Sequence, residues 1–131
     1  MTKADREKGK RGERQAAARI RAAMPEMADQ IRRGWQTRLG CDDPDIVGLP
    51  GFWIEHKCGQ LPNLRAAYKQ AKLAAKGRAF PLAIVQDDRA SDRLVCLNLT
   101  DFLRILRSAY GHAPPLRFGV QQELFPGEVA E

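Results

Sequence analysis

The chain has 131 residues, of which 44% are hydrophobic and 29% charged, and its formal net charge is +6. This length fits one domain with a single core. No apolar run approaches the length of a membrane span, and the charged N-terminus has no hydrophobic signal core. The sequence therefore predicts neither a membrane protein nor a secreted one. Three widely spaced cysteines, Cys41, Cys58 and Cys96, favour reduced thiols and a cytoplasmic location.

The excess positive charge lies in the first third of the chain. Residues 1–38 carry eleven Lys or Arg against five Asp or Glu, whereas residues 39–131 carry eleven of each. Residues 65–78 form a second basic run without an acid, and residues 39–64 between the two are acidic. An acidic centre between basic flanks is typical of a metal site beside phosphate-binding surfaces. The alternative is that the basic residues only solvate helix faces.

In chain order, residues 1–9 are predicted to be a basic, flexible tail. A helix is predicted from Gly12 to about Met24, because its apolar positions follow helical spacing and Pro25 ends it. Glu13 lies near the predicted helix start, where the helix macrodipole favours a carboxylate. Residues 28–37 fit either a helix or a strand.

The centre of the chain reads as two short strands joined by a turn. Asp45 to Val47 forms the first strand, residues 48–51 have the glycines and proline of a tight turn, and Phe52 to Cys58 forms the second strand. Side chains alternate across a strand, so Glu55 and Lys57 share one face, with Asp45 on the paired strand.

Two carboxylates a few ångströms apart repel each other unless a cation joins them. Mg²⁺ takes one or two protein carboxylates and leaves positions for water and phosphate oxygens. A neighbouring lysine can orient a water or stabilise charge on a phosphate. Asp45, Glu55 and Lys57 therefore suit metal-dependent phosphodiester hydrolysis, with Mg²⁺ as the cofactor and Mn²⁺ as a substitute. The alternative is an ordinary hairpin with a surface ion pair.

Beyond the hairpin, Asn63 is predicted to cap a helix from Leu64 to about Lys76 that Gly77 ends. Residues 79–86 and 94–99 are predicted strands. Thr100 is predicted to cap a last helix, from Asp101 to about Ala109, that packs its apolar side chains on the sheet. The predicted fold is α/β, with a central mixed β-sheet flanked by helices in the order α-βββ-α-ββ-α.

The pair Pro44-Asp45 followed by Glu55-His56-Lys57 resembles the motif of the PD-(D/E)xK nuclease superfamily. Within it, the chain resembles the small phage and archaeal Holliday junction resolvase-like enzymes and the VRR-NUC group, from about Gly12 to Leu106. The resemblance implies a restriction-endonuclease-like core at residues 10–110 and a strand within residues 28–37. It also implies a metal-site role for Glu13 and a water- or phosphate-positioning role for Gln70.

The implied activity is structure-selective DNA endonuclease cleavage in phage or bacterial recombination or repair, acting on branched or double-stranded DNA as a homodimer. The alternatives are a restriction-type or nick- or damage-processing nuclease and a DNA- or clamp-binding module without catalysis. The candidate DNA-binding residues lie on the basic helix and the segment before the hairpin: Arg33, Gln36, Arg38, Lys69 and Lys72.

Residues 111–131 are predicted to be a proline-containing tail outside the core. Gln121, Leu124 and Phe125 in this tail resemble the Gln-x-x-Leu-Phe peptide that bacterial replication and repair proteins insert into the sliding clamp. A clamp-binding role would suit a flexible terminal segment. The alternative is that Leu124 and Phe125 fold back onto the core.

Overall fold

The computed structural model describes residues 2–34, 43–88 and 90–113. The helices are α1 (Lys3–Ala23), α2 (Leu64–Ala75) and α3 (Leu99–Ala109), and a short 3-10 helix (Pro25–Gln30) follows α1. The strands are β1 (Arg32–Arg33), β2 (Ile46–Val47), β3 (Phe52–Gly59), β4 (Phe80–Asp87) and β5 (Arg93–Cys96). They form one sheet in the order β1-β2-β3-β4-β5, in which β3 and β4 are parallel and the other neighbours antiparallel. The predicted α/β class, with a mixed sheet flanked by helices, is confirmed.

Helix α1 begins at Lys3 and not at Gly12, so residues 3–9 are helical where the sequence predicts a tail. The cause is a capping box at Thr2. The Thr2 hydroxyl accepts a hydrogen bond from the Asp5 N–H at 3.1 Å, and the Asp5 carboxylate accepts one from the Thr2 N–H at 3.0 Å. These two bonds satisfy amides that a helix start otherwise leaves without partners.

The core lies on both faces of the sheet. On one face, Ala16 and Ala17 of α1 pack against an isoleucine cluster, and on the other, three alanines of α2 pack against β3 and β4. Side chains alternate along β3, so Ile54 contributes to the first face and Trp53 to the second. The buried residues of α2 are small, which lets this helix approach the sheet closely. They are Ala67, Ala71 and Ala75.

Helix α2 has the predicted N-cap, Asn63, whereas at its C-terminal end the helix stops at Ala75 and the cap is Lys76 rather than Gly77. The Asn63 side chain accepts a hydrogen bond from the Ala66 N–H at 3.1 Å. At the other end Lys76 adopts a left-handed conformation (φ 53°), and its N–H donates to the Lys72 carbonyl. Helix α2 is the crossover connection between β3 and β4. Parallel strands need such a crossover because a tight hairpin turn cannot join them.

The turn between β2 and β3 depends on Gly48. Its φ is 101°, in the left-handed region, and a Cβ atom at this position would lie 2.0 Å from the carbonyl oxygen of Gln30. Only glycine accommodates both the positive φ and the close approach of the Gln30 carbonyl. This close approach packs the 3-10 helix against the start of the turn, and the Gln30 side chain donates to the Gly48 carbonyl at 2.8 Å.

Helix α3 departs from the prediction in two respects. Its N-cap is Asn98, whose side chain accepts from the Thr100 N–H at 2.8 Å, so the helix starts at Leu99 and Thr100 is not the cap. The predicted packing of its apolar side chains on the sheet is also wrong, since α3 has no buried residue and Phe102, Leu103 and Leu106 are exposed. No helix in the described part of the chain is long and apolar enough to cross a membrane.

Candidate active site

The strand register brings the two predicted carboxylates together. Ile46 of β2 pairs with Ile54 of β3 in antiparallel register. Continuing that register by one residue sets Asp45 opposite Glu55, and directly opposite residues share a face of the sheet. Both residues are buried, each with about 8% of its surface exposed. The hairpin therefore places two carboxyl groups next to each other in the interior.

Asp45 is held by the backbone of the neighbouring strand. Its Oδ2 accepts a hydrogen bond from the His56 N–H at 2.8 Å, and its own carbonyl accepts from the Gly34 N–H at 2.8 Å. The second contact ties the segment after β1 to the hairpin. Main-chain amides of two separate segments thus hold Asp45, one through its carboxylate and the other through its backbone carbonyl.

Glu55 is held by Trp53, two residues before it on the same face of β3. The indole Nε1 donates to Glu55 Oε1 at 2.9 Å, and Trp53 packs against Ala71 and Ala75 of α2. Burial, together with the hydrogen bond to Asp45 and its negative charge, raises the pKa of Glu55 to about 8. Near neutral pH this carboxyl group therefore holds a proton when no cation compensates the pair.

Glu13 of α1 lies within electrostatic range of the same pair. Burial raises its pKa and Asp45 adds to that rise, while the hydrogen bond from Arg33 lowers the pKa. Arg33 Nε and Glu13 Oε2 are 2.5 Å apart. Because α1 begins at Lys3, Glu13 lies well inside the helix, where the macrodipole no longer favours a carboxylate. The helix-start explanation of Glu13 is therefore wrong.

Lys57 follows Glu55 by two residues on β3, so it lies on the same face of the sheet, and its side chain is exposed. Glu55 of the buried carboxyl pair and this exposed ammonium group thus lie two residues apart on one face of β3. A group that binds the carboxylates from the solvent side would meet Lys57 at the same position.

The opposite face of β3 carries no candidate site residue. His56 is buried there beneath Gly12 of α1, and burial, with a smaller contribution from Arg93, lowers the pKa of its imidazole to about 4. Both ring nitrogens lack a hydrogen-bond partner within the described chain. His56 is therefore a neutral packing residue whose backbone amide, rather than its ring, serves the site.

The remaining predicted residues lie on α2, on β1 or outside the described residues. Gln70, Lys69 and Lys72 are exposed on α2, and no hydrogen bond joins Gln70 to Asp45 or Glu55 in the part of the chain that the structure covers. Arg33 contacts Glu13 and is half-buried. Five other predicted residues lie outside the described residues: Gln36, Arg38, Gln121, Leu124 and Phe125.

The residues fit a hard divalent cation with few protein ligands. Within residues 2–34, 43–88 and 90–113, no group of three or more His, Cys, Asp or Glu side chains is arranged to hold a metal ion. Asp45 and Glu55 remain as a pair of oxygen donors. Mg²⁺ commonly uses one or two carboxylates and completes its shell with water and phosphate.

Comparison with known proteins adds no relative: no family model, curated protein or solved structure matches the chain. The function of this site therefore has to follow from its own geometry. Two contacts were not anticipated from the sequence, namely Trp53 with Glu55 and Arg33 with Glu13. The contact between Trp53 and Glu55 could have been predicted from the sequence, because residues two apart on a strand share a face. The second joins residues twenty positions apart, which no local pattern indicates.

Proposed function

We propose that this chain is a Mg²⁺-dependent DNA endonuclease of the PD-(D/E)xK type with a restriction-endonuclease-like core. The observation that carries the proposal is the buried pair Asp45 and Glu55, held on adjacent strands with Lys57 two residues further on. The α-βββ-α-ββ-α order of the elements agrees with this assignment.

A buried pair of carboxyl groups that served only the core would lower the stability of the fold. Burial disfavours the ionised form of each carboxyl group, and two neighbouring negative charges without a compensating cation add to the penalty. The pKa of Glu55, raised to about 8, expresses this conflict. A divalent cation would resolve it, which is why the pair is better explained as a binding site than as part of the core.

Each residue has a distinct part in the proposed reaction. Asp45 and Glu55 would hold the ion, and the His56 N–H and the Trp53 indole would keep the two carboxylates in place. When bound, Mg²⁺ would polarise a phosphoryl oxygen and lower the pKa of a water molecule. Lys57 would stabilise the negative charge that builds up on the phosphate during attack.

The distribution of charge supports DNA as the substrate. Three basic residues of α2 share its outward side at helical spacing and are exposed, namely Arg65, Lys69 and Lys72, and the C-cap residue Lys76 is exposed as well. Such a stripe suits the phosphate backbone, whose recognition does not depend on base sequence. We therefore propose selection by DNA shape, including branched junctions, rather than by sequence.

The test is cleavage by the purified full chain, with Mg²⁺, of labelled four-way junction, nicked, flapped and linear duplex DNA. Glu55→Gln and Asp45→Asn should each reduce cleavage by a factor on the order of 10³ or more, since both remove a ligand of the metal. DNA binding in the absence of cleavage should be retained. Glu26→Gln is the matched control, because Glu26 is exposed in the 3-10 helix.

Two outcomes would contradict the proposal. Cleavage by the Glu55→Gln protein at the unaltered rate would place the active site elsewhere. DNA binding by the natural chain without Mg²⁺- or Mn²⁺-dependent cleavage of any of the four substrates would favour a non-catalytic binding module.

A further inference from the structure

Helix α3 and strand β5 share an apolar surface that the described residues leave uncovered. Its side chains on α3 lie along one side of the helix at steps of three and four residues, and Leu94 adds to them from the edge strand of the sheet. A groove of about 430 Å³ lies between the two elements. We call six residues the α3–β5 face: Leu94, Leu99, Phe102, Leu103, Leu106 and Tyr110.

The α3–β5 face is large for a soluble monomer. Leu99 and Tyr110 are 69% and 72% exposed, and Leu94 is 56% exposed. Covering the six side chains would remove on the order of 600 Å² from solvent, which is the upper limit for the largest apolar patch of a typical monomer. A patch of this size usually marks a contact surface.

The segment that follows α3 carries the apolar residues that such a contact needs. Of the eighteen residues 114–131, one third are large and apolar. In segments that remain in solvent this share is typically below about one fifth. The composition therefore favours a segment that packs against an apolar surface. Its large apolar residues are Leu116, Phe118, Val120, Leu124, Phe125 and Val129.

This segment starts close enough to reach the whole face. The structure describes the chain up to Ala113, four residues beyond Ala109, the last residue of α3. Helix α3 has 11 residues and is therefore about 16 Å long. An extended chain advances about 3.3 Å per residue, so about five residues suffice to return along α3 to Leu99. The residues after them can reach the groove beside β5.

We propose that residues 116–125 dock on the α3–β5 face of their own chain. Leu116 and Phe118 would cover the side of α3, and Leu124 and Phe125 would fill the groove beside β5. The sequence alone leaves open whether Leu124 and Phe125 fold back onto the domain, and the α3–β5 face is the surface on which they would do so. The proposal does not depend on the nuclease activity.

Charge favours this segment as the occupant. Residues 114–131 contain three glutamates and one arginine, whereas residues 93–109, which include β5 and α3, contain three arginines and one aspartate. Arg107 lies one helical turn after Leu103 and therefore borders the apolar side of α3. The opposite net charges of the segment and of the surface favour their association.

The covalent connection favours the chain's own segment over a separate partner. A short linker holds a segment at an effective concentration of about 1 mM. If the contact by itself had a dissociation constant of about 100 μM, the tethered segment would be docked about nine-tenths of the time. This fraction does not depend on the protein concentration, because the contact is within one chain.

The experiment is alkylation of the full chain carrying Leu103→Cys, with the modified positions resolved by mass spectrometry. The docked segment shields the new thiol. Alkylation at position 103 should therefore be about tenfold slower than in the same protein with Leu116, Phe118, Leu124 and Phe125 replaced by serine. The protection should be the same at protein concentrations between about 1 and 200 μM.

Two further variants keep the test decisive. Leu99→Cys repeats the measurement at a second position, in case the loss of the Leu103 side chain itself weakens docking. Leu73→Cys on α2 is the matched control, because Leu73 is 68% exposed outside the α3–β5 face. Its alkylation rate should be the same with and without the serine substitutions. Circular dichroism checks that each variant is folded.

Three results would overturn the proposal. The first is that the serine substitutions leave the alkylation rates at positions 99 and 103 unchanged and fast. The second is slow alkylation that persists after these substitutions, because something other than residues 116–125 would then cover the face. The third is protection that appears only at the upper protein concentrations, which would assign the contact to a second copy.

Discussion

The Asp45 carboxylate accepts a hydrogen bond from the backbone N–H of His56, and that bond of 2.8 Å holds it beside the carboxyl group of Glu55. The neighbouring carboxyl group cannot move away, because Glu55 is in turn bonded to Trp53 within the α2-covered face of the sheet. The fold therefore keeps the two carboxyl groups next to each other, and they repel each other when both are ionised. This repulsion should be measurable as a dependence of the free energy of unfolding on pH and on divalent cations.

In metal-free buffer, Glu55 should make the protein less stable as the pH rises. The unfolded chain loses this proton near the ordinary value of 4.5, whereas the folded protein holds it until about pH 8. Between these values the native state binds the extra proton, so the free energy of unfolding falls with increasing pH. Urea unfolding at pH 5, 6.5 and 8 with a chelator measures the effect.

The control is Glu55→Gln, which stays neutral at every pH. His56 acts in the opposite sense, because its pKa is lowered to about 4 and its contribution to stability is lost as the pH falls below 6.5. The difference in the free energy of unfolding between the natural chain and Glu55→Gln isolates the contribution of the Glu55 carboxyl group. A difference that does not change between pH 5 and 8 would contradict the raised pKa.

Mg²⁺ should stabilise the natural chain, and more at pH 8 than at pH 6. Binding needs both carboxylates ionised, and the proton on Glu55 competes with the ion below pH 8. With a dissociation constant on the order of 1 mM, 10 mM Mg²⁺ would add about 1.4 kcal/mol to the free energy of unfolding. Thermal unfolding with and without Mg²⁺ provides the measurement, and Glu55→Gln should show little shift.

The local features of the site could be predicted from the sequence. Alternation along a strand places Glu55 and Lys57 on one face, and the glycine-containing turn predicts the hairpin that returns Asp45 to them. Asn63 as the cap of α2 is likewise a local signal, and the structure confirms it. These predictions succeed because each depends on a few consecutive residues whose conformations are narrowly restricted.

The parts that could not be predicted depend on distant residues. The pairing of Arg33 with Glu13 follows from the packing of α1 beside β1, which no short pattern specifies. The apolar side of α3 predicts that something covers it, and the structure shows that the described part of this chain does not. The early start of α1 is different, since the capping box of Thr2 and Asp5 was present in the sequence.

Lys57→Ala should slow cleavage by a factor on the order of 10² or more while Mg²⁺ binding is retained. The lysine is exposed and is proposed to act on the phosphate, whereas the ion depends on Asp45 and Glu55. Single-turnover cleavage measures the first quantity, and Mg²⁺-induced stabilisation the second. Lys3→Ala, at the exposed start of α1, should leave both unchanged. Loss of Mg²⁺ binding in Lys57→Ala would indicate a structural role instead.

Replacing Lys69 and Lys72 with alanine should weaken DNA binding equally for all sequences. Both lysines are exposed on α2. The slope of log K against log salt is negative, and it should become less steep by about 0.9 for each lysine–phosphate interaction that is removed. Fluorescence anisotropy at four salt concentrations gives the slope. An unchanged slope would shift the DNA-binding surface to α1, whose exposed Arg11 and Arg14 would be replaced next.

Two glycines of α1 should respond in opposite directions to alanine. At Gly12 a Cβ would lie 2.9 Å from Cε1 of the buried His56 and 3.2 Å from Sγ of Cys58, whereas at Gly9 it meets no atom within 4 Å. Alanine favours a helix by up to about 1 kcal/mol over glycine, so Gly9→Ala should stabilise the protein by about that amount. Overpacking costs about 1–3 kcal/mol, so Gly12→Ala should destabilise it despite the same helix gain. Urea unfolding of both variants measures the two changes in the free energy of unfolding. Stabilisation by Gly12→Ala would mean that α1 does not pack closely against His56.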